Sequence, residues 1–176
     1  CEKNNVIILL DEAYHPFYQQ SYIGLTKKYK NLIIVRSFSK AWGLAGLRIG
    51  YAVGSPEIIS YYHKIKQMYE LGTYSISFVS RVLDYVNEME KSVERLLNGK
   101  DYFIKELEKH NFQCLENYGN FLHVNFAEKS DQIHKSLSNK VIYRKNFSEE
   151  CLKGFSRFTA TTEENFKPII EIIKTI

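Results

Sequence analysis

Two short apolar runs, each followed directly by polar residues, most constrain what this chain can fold into. Residues 6–10 and 32–35 contain only Val, Ile and Leu, a composition typical of strands that are buried on both faces of a parallel sheet. Ligands of such sheets bind outside the carboxyl ends of the strands. We therefore expect Asp11 and residues 37–40, which follow the two runs, to lie at one sheet edge and to face any ligand there.

The connection after the second run is dense in groups that bind anions. Residues 37–50 read SFSKAWGLAGLRIG, with two serines, a lysine, three glycines and an arginine. A desolvated lysine amine, or one near another cation such as Arg48, can form a Schiff base with an aldehyde. Ser37, Ser39 and Arg48 offer hydroxyls and a guanidinium fork to a phosphate dianion. The segment therefore combines an amine that can react with an aldehyde and side chains that can bind a phosphate. Pyridoxal phosphate carries both of these groups.

A plainer interpretation of the same segment is a solvated loop lysine beside glycines that only form a turn. The spacing of Gly43, Gly46 and Gly50 ahead of an apolar segment favours the binding site, because glycine lets the backbone approach a ligand closely.

The segment resembles the lysine motif of the fold-type-I, class I/II aminotransferases, which depend on pyridoxal phosphate. Its ending, GLAGLRIGY, is most similar to the histidinol-phosphate aminotransferase branch. The resemblance implies that Lys40 is the Schiff-base lysine and that Ser37 and Arg48 bind the cofactor phosphate. Ser39 lies inside the motif and is counted with the cofactor-binding residues.

The residues DEAY at positions 11–14 would serve the ring of the same cofactor. By the resemblance, Asp11 is the partner of the pyridine nitrogen and Tyr14 contacts the ring oxygen, whereas Glu12 is interpreted as a structural acid. An acid that ends a strand is by itself usually a turn residue or a helix cap, but the lysine motif 29 positions later favours the cofactor role. The predicted catalytic residues are Lys40, Asp11 and Tyr14.

Two arginines in apolar, strand-like surroundings are candidates for binding the acid group of a substrate. Arg144 follows VIY and Arg157 lies in FSRF, where an unpaired guanidinium is costly and an anionic partner is expected. An internal salt bridge remains the alternative, above all for Arg144. The resemblance assigns Arg157 to the substrate carboxylate or phosphate and matches Asn120 to an Asn-Phe signature. Residues 68–77 depart from the Tyr-Asn pair usual in that branch, which leaves the substrate open.

The fold class predicted is α/β: the carboxyl-terminal part of the large-domain sheet of a pyridoxal-phosphate transferase, followed by a small α+β domain. We expect the cofactor part at 1–80, and an interdomain helix with the small domain at 81–176.

The long amphipathic stretch from 78 to about 110 predicts one helix or two in series, with Asn98-Gly99 as the weak point. Pro168 predicts a bend or a late start of the last helix. The other predicted elements are strands at 48–54, 113–116, 121–126, 141–144 and 154–159, and helices at 56–68 and from Ser130.

Composition excludes several classes of function. The net charge is +4 and the basic residues are scattered, so neither nucleic acid nor an anionic membrane is indicated as a partner. No apolar stretch approaches the ~20 residues that span a bilayer. Three cysteines without a Cys-x-x-Cys pair indicate a reducing compartment, hence the cytoplasm. The five histidines lack metal-ligand spacing, so no metal is expected and surface or packing roles are assigned to them.

The resemblance implies the carboxyl-terminal half of an aminotransferase of amino-acid biosynthesis. Such an enzyme moves an amino group between a small amine or amino acid, phosphorylated or not, and a 2-oxo acid, and it works as a homodimer. The chain opens at Cys1 without a methionine, which we interpret as the start of a fragment. Two alternatives stay open: a pyridoxal-phosphate-dependent decarboxylase of a phosphorylated amino acid, and a truncated, non-catalytic binding or assembly module.

Overall fold

The computed structural model describes residues 1–115, 117–145 and 147–176. The chain divides into two compact units, Cys1–Glu90 and Lys91–Ile176, each with its own sheet. Both units combine helices with a three-stranded sheet, which confirms the α/β class. The division falls ten residues after the predicted one, and the assignment of the units to domains of a larger fold stays a prediction.

The first unit is built on the two apolar runs. Strand β1 (Ile8–Asp11) pairs in parallel with β2 (Leu32–Ser37), so that Asp11 lies opposite Val35. Strand β3 (Gly50–Gly54) adds to the other side of β2 in antiparallel fashion. The parallel pairing puts the carboxyl ends of β1 and β2 at the same edge, as the sequence predicts.

The expectation that the first run is buried on both faces is wrong. Ile8 is 38% exposed and Leu9 is 63% exposed, whereas Leu32 and Ile34 of β2 are buried. The reason is the strand order β1-β2-β3: β2 has a neighbour on each side, and β1 is an edge strand. An all-apolar run therefore indicates a strand here, but not its burial.

The helices of the first unit follow β3. Helix α1 (Pro56–Ile65) is capped by Ser55, whose Oγ accepts a hydrogen bond from the Ile58 N–H. It ends three residues before the predicted end. Helix α2 (Thr73–Val82) begins five residues before the helical stretch predicted from residue 78, and a short 3-10 turn, Leu83–Tyr85, separates it from α3 (Val86–Lys109).

Helix α3 runs without interruption through the predicted weak point at Asn98-Gly99, so that prediction is wrong. Gly99 is buried, and a Cβ added there would overlap the carbonyl oxygen of Thr161. The glycine is needed because α3 packs closely against the backbone that leads into the last helix, α5 (Glu163–Lys174). Pro168 lies inside α5 without delaying its start, so the alternative of a late start is wrong as well.

The second unit contains an antiparallel sheet in the order β4-β5-β6 (Gln113–Leu115, Phe121–Asn125 and Phe155–Thr159). Helix α4 (Ser130–Leu137) begins where predicted. The strand predicted at 141–144 is reduced to a single bridge between Arg144 and Arg157. Position 116, predicted as the end of β4, lies outside the described residues.

The core of the second unit is rich in phenylalanine. Phe103 of α3 and Phe166 of α5 stack with ring centroids 4.1 Å apart, and Phe158 of β6 meets Phe103 edge to face at 5.5 Å. Such aromatic pairs contribute beyond their buried area. They join both helices to one face of the sheet, and the other fully buried side chains packed there are Leu107, Leu122, Val124, Phe126, Ile133, Leu137 and Ile170.

Candidate active site

The predicted cofactor residues meet at the edge where β1 and β2 end. Asp11 is the last residue of β1 and Ser37 the last of β2. The pairing continues one residue further, because the Glu12 N–H donates to the Val35 carbonyl at 2.9 Å. Beyond the edge, Nζ of Lys40 lies over the ring of Tyr14, 5.3 Å from its centroid. The structure thus brings the predicted lysine and phenol together.

The loop that carries Lys40 is held by a small apolar cluster. The Gly43 N–H donates to the Lys40 carbonyl at 3.1 Å, and Gly43 adopts a positive φ of 66° that favours glycine. Phe38, two residues before the lysine, is buried against Ile49. Its ring lies 5.8 Å from the ring of Trp42, two residues after the lysine. The contact between Phe38 and the partly buried Trp42, which lie on either side of Lys40 in sequence, therefore holds the loop that carries the lysine.

Ser37 and Ser39 lie on the turn between the strand end and the lysine. The Ser39 N–H donates to Ser37 Oγ at 3.0 Å, which orients the Ser37 hydroxyl. Gly50 lies opposite Ser37 in β3, and a Cβ there would come within 2.6 Å of the Arg36 carbonyl oxygen. At least this glycine of the motif is required by a close backbone approach at the site.

Arg48 lies just before β3 in the left-handed backbone conformation, with φ of 54°. Its side chain is exposed, and Nη1 donates to the Ala45 carbonyl at 3.1 Å. This bond uses one of the five N–H donors of the guanidinium. Arg48 can therefore bind an anion through its remaining donors.

The neighbouring acids Asp11 and Glu12 have different surroundings. Asp11 is exposed and accepts a hydrogen bond from the Ala13 N–H at 2.8 Å through Oδ1. Glu12 is buried, and its carboxylate binds the Arg36 guanidinium at 2.8 and 3.1 Å.

Glu12 also accepts the Ser21 hydroxyl at 3.0 Å and the Tyr22 N–H at 2.7 Å. Burial raises the pKa of Glu12, but the hydrogen bonds from Tyr22, Arg36 and Ser21 outweigh burial and lower the pKa overall. Glu12 thus holds the loop of residues 21–22 against the sheet, which supports its interpretation as a structural acid.

The predicted substrate residues lie in the second unit, where the two arginines face each other. The Arg144 N–H donates to the Arg157 carbonyl at 3.1 Å, and the Arg157 N–H donates to the Arg144 carbonyl at 2.8 Å. Each guanidinium stacks on an aromatic ring, Arg157 on Phe121 and Arg144 on Phe147, both with 4.2 Å between Cζ and the ring centroid. Two like charges on paired backbone positions repel, so an anion between them would be stabilising.

The alternative of an internal salt bridge receives little support. Nη2 of Arg144 lies 3.8 Å from Oε2 of Glu149, and both side chains are about half exposed, so this pair contributes little. Within residues 1–115, 117–145 and 147–176, no carboxylate pairs with Arg157. Asn120 directly precedes β5, and its carbonyl accepts the Ala160 N–H at 2.8 Å, which ties it to the residue after β6.

Sequence reasoning did not predict that three residues lie beside the arginines: Phe121, noted only as part of the Asn-Phe signature, Phe147 and His123. His123 lies opposite Arg157 in the register of β5 and β6. The alternation of Phe121, His123 and Asn125 along a strand was a usable signal, because residues two apart share one face. The pairing partner on β6, however, is not encoded in that local pattern.

No group of three or more His, Cys, Asp or Glu residues that could hold a metal ion occurs in the described part of the chain. In the same residues, no helix is both long enough and apolar enough to cross a membrane.

Comparison with known proteins identifies the family to which the chain belongs. The model of the family described as "Aminotransferase class I and II" matches residues 1–173. A histidinol-phosphate aminotransferase of Caldanaerobacter subterraneus subsp. tengcongensis is 32% identical over 177 residues, which cover 99% of this chain and 50% of that protein. The chain thus spans about half the length of the curated relatives it matches.

Solved structures share the fold. The histidinol-phosphate aminotransferase of Clostridium acetobutylicum has a TM-score of 0.84 at 23% identity, over 99% of this chain and 55% of that one. The enzyme of the same name from Sinorhizobium meliloti, in complex with pyridoxal-5'-phosphate, has a TM-score of 0.79 at 20% identity, over 96% of this chain and 49% of that one. Because the family model covers nearly all of the sequence, the chain belongs to the class I and II aminotransferases.

Proposed function

We propose that the chain acts as the carboxyl-terminal half of a pyridoxal-phosphate-dependent aminotransferase of the histidinol-phosphate type. The observation that carries the proposal is the position of Lys40 Nζ over the Tyr14 ring, beside the strand end that presents Asp11. Membership of the family and the similarity to histidinol-phosphate aminotransferases support it.

The donor set suits the cofactor group by group. Asp11 offers a carboxylate to the pyridine nitrogen, Tyr14 offers a phenol to the ring oxygen, and Lys40 offers a primary amine to the aldehyde. Ser37, Ser39 and Arg48 offer two hydroxyls and a guanidinium to the phosphate. When bound, pyridoxal phosphate supplies an electron sink for the bonds of the substrate's α-carbon.

The chain's own residues orient the reactants and move protons. Lys40 would hold the cofactor through its amine. When free, its Nζ would act as a general base that accepts the substrate's α-proton, and as a general acid that delivers this proton to C4′ of the cofactor. Asp11 holds a proton at the pyridine nitrogen through its negative charge, and Tyr14 positions the ring.

The substrates proposed are a small amine or amino acid, phosphorylated or not, and a 2-oxo acid. Arg157, Arg144 and Asn120 would bind the acid group of the substrate. A homodimer in the cytoplasm completes the proposal. The location is supported by Cys1, Cys114 and Cys151, all of which are free thiols.

Borohydride reduction tests the assignment of Lys40. The full chain is incubated with pyridoxal phosphate, reduced, digested and analysed by mass spectrometry. We expect the label on Lys40, its loss in Lys40→Arg, and its retention in Lys28→Arg, a matched change of an exposed loop lysine. Label spread over exposed lysines, with none enriched at position 40, would reject the proposal.

The reaction itself is tested by product analysis of the longer protein to which this half belongs. We expect amino transfer that depends on 2-oxoglutarate. Release of carbon dioxide from a phosphorylated amino acid, without transfer, would favour the decarboxylase instead.

A further inference from the structure

Three nitrogen-bearing side chains form a row across the sheet of the second unit. In the strand register, His123 of β5 lies opposite Arg157 of β6, which in turn lies opposite Arg144. Side chains directly opposite each other share a face and lie roughly 5 Å apart at Cβ. The alternate residues Leu122 and Val124 are fully buried in the core, so this donor row of His123, Arg157 and Arg144 lies on the sheet face away from that core.

The imidazole of His123 is held by the same rings that hold the guanidiniums. Its centroid lies 5.4 Å from that of Phe121, on which Arg157 stacks, and 5.4 Å from that of Phe147, on which Arg144 stacks. Edge-to-face contacts on two sides fix the ring between the two arginines without using its nitrogens.

The ring nitrogens of His123 are available to a ligand. Among the described residues, no group forms a hydrogen bond with the imidazole, which is partly exposed. Among residues 1–115, 117–145 and 147–176, the charged groups that face it are Arg157 and Arg144, and Arg144 forms a loose pair with Glu149. Its neighbour in register on β4 is the uncharged Leu115.

We propose that His123 is the third donor of an anion site formed with Arg157 and Arg144, and that it donates a hydrogen bond to a phosphate-bearing substrate. The inference rests on the proposed function and adds His123 to Arg157 and Arg144 as a residue that positions the anionic group of the substrate. A carboxylate presents two oxygens, which one guanidinium fork satisfies. A phosphate monoester presents three oxygens and nearly two negative charges, so it can accept hydrogen bonds from the second arginine and from an imidazolium as well.

Proton uptake is the consequence that can be measured. In the free chain, burial lowers the pKa of His123, and the positive charges of Arg157 and Arg144 lower it further. A bound dianion reverses the local charge and raises that pKa, so the anion and the proton bind together. Affinity for a dianion therefore falls as the pH rises from the pKa of the free form to that of the bound form, by up to about tenfold per pH unit.

Sulfate is a suitable probe, because its charge stays at −2 throughout this pH range. The imidazole C–H signals of the full chain are titrated by NMR with and without sulfate, and sulfate affinity is measured at several pH values. We expect sulfate to raise the pKa of His123, and acetate to do so far less. His123→Gln should lose the pH dependence of sulfate affinity, whereas His110→Gln, a matched change of an exposed histidine, should keep it.

Two results would overturn the inference: an unchanged pKa of His123 in saturating sulfate, or an unchanged pH dependence in His123→Gln. Arg157→Gln gives a second check, since it leaves the histidine in place and should abolish the sulfate-induced shift. Borohydride labelling of Lys40 separates the two proposals. Loss of the His123 effect with Lys40 still labelled rejects this inference alone, whereas failure to label Lys40 rejects the proposed function.

Discussion

Nζ of Lys40 lies 5.3 Å from the centroid of the Tyr14 ring, although 26 positions separate the two residues in sequence. The parallel pairing of β1 with β2 accounts for this proximity, because it delivers the ends of both strands to one sheet edge. The amine and the phenol are thus placed beside each other by the fold itself.

The phenol of Tyr14 can be tested separately from its ring. Tyr14→Phe keeps the aromatic face under Lys40 and removes the hydrogen bond that we propose Tyr14 makes to the cofactor's ring oxygen. We expect affinity for pyridoxal phosphate, measured by absorbance titration, to fall by about tenfold to a hundredfold, as for one bond to a charged group. Borohydride labelling of Lys40 should persist. Equal weakening by Tyr18→Phe, in the same loop, would show a general effect on the fold instead.

Breaking the ion pair of Glu12 and Arg36 should destabilise the first unit. Glu12→Ala removes the carboxylate partner of a guanidinium whose side chain is only 16% exposed, and breaking a buried ion pair costs about 3 kcal/mol. Trp42, the single tryptophan of the sequence, reports unfolding of this unit in urea through its fluorescence. Glu70→Ala, which breaks the exposed pair with Lys66, should leave the midpoint unchanged.

The same carboxylate makes the stability of the first unit depend on pH. Its folded-state pKa lies below the ordinary value of 4.5, so the unfolded chain binds the proton more readily. The stabilisation by Glu12 is therefore present above pH 4.5 and is lost as the pH falls through the folded-state value. Urea midpoints are measured by Trp42 fluorescence at a series of pH values. In Glu12→Gln, the part of the fall in midpoint at acid pH that is due to Glu12 should be absent. An identical pH profile in the variant would contradict the assignment.

Gly99→Ala tests the close packing of α3 on the segment before α5. Alanine favours helix over glycine by about 1 kcal/mol, but its Cβ would overlap the Thr161 carbonyl, and the neighbouring atoms are backbone. We expect a net loss of about 2 kcal/mol in the second unit, measured by hydrogen exchange of the β5 amides. Asn98→Ala, an exposed change one residue earlier, should be neutral or slightly stabilising.

Local sequence signals predicted the parts of the structure that depend on neighbouring residues. The apolar runs give β1 and β2, the polar residues after them give the sheet edge with Asp11 and Lys40, and Ser130 begins α4. Each of these signals acts within a few residues, through strand composition, backbone geometry or helix initiation.

The remaining features depend on which distant segments pair, and the sequence did not predict them. From sequence alone, Gly99 indicates a weak point in the helix. In the structure it allows α3 to pack closely against the backbone of Thr161. His123 looks like a surface histidine until the register of β5 and β6 sets it opposite Arg157. Strand register is a tertiary property, set by the packing of one whole face, and no local periodicity encodes it.

Lys100 is a buried residue whose removal should loosen the turn before Asn120. It is 5% exposed, and its Nζ donates to the carbonyls of Asn117 and Gly119 at 2.8 and 3.0 Å. Lys100→Met keeps the length of the side chain but leaves both carbonyls without this donor, at an expected cost of about 2 kcal/mol to the second unit. Hydrogen exchange should accelerate first at residues 117–121. Lys105→Met, on the exposed side of the same helix, is the control, and equal acceleration in both variants would mean that the Lys100 contacts do not hold the turn.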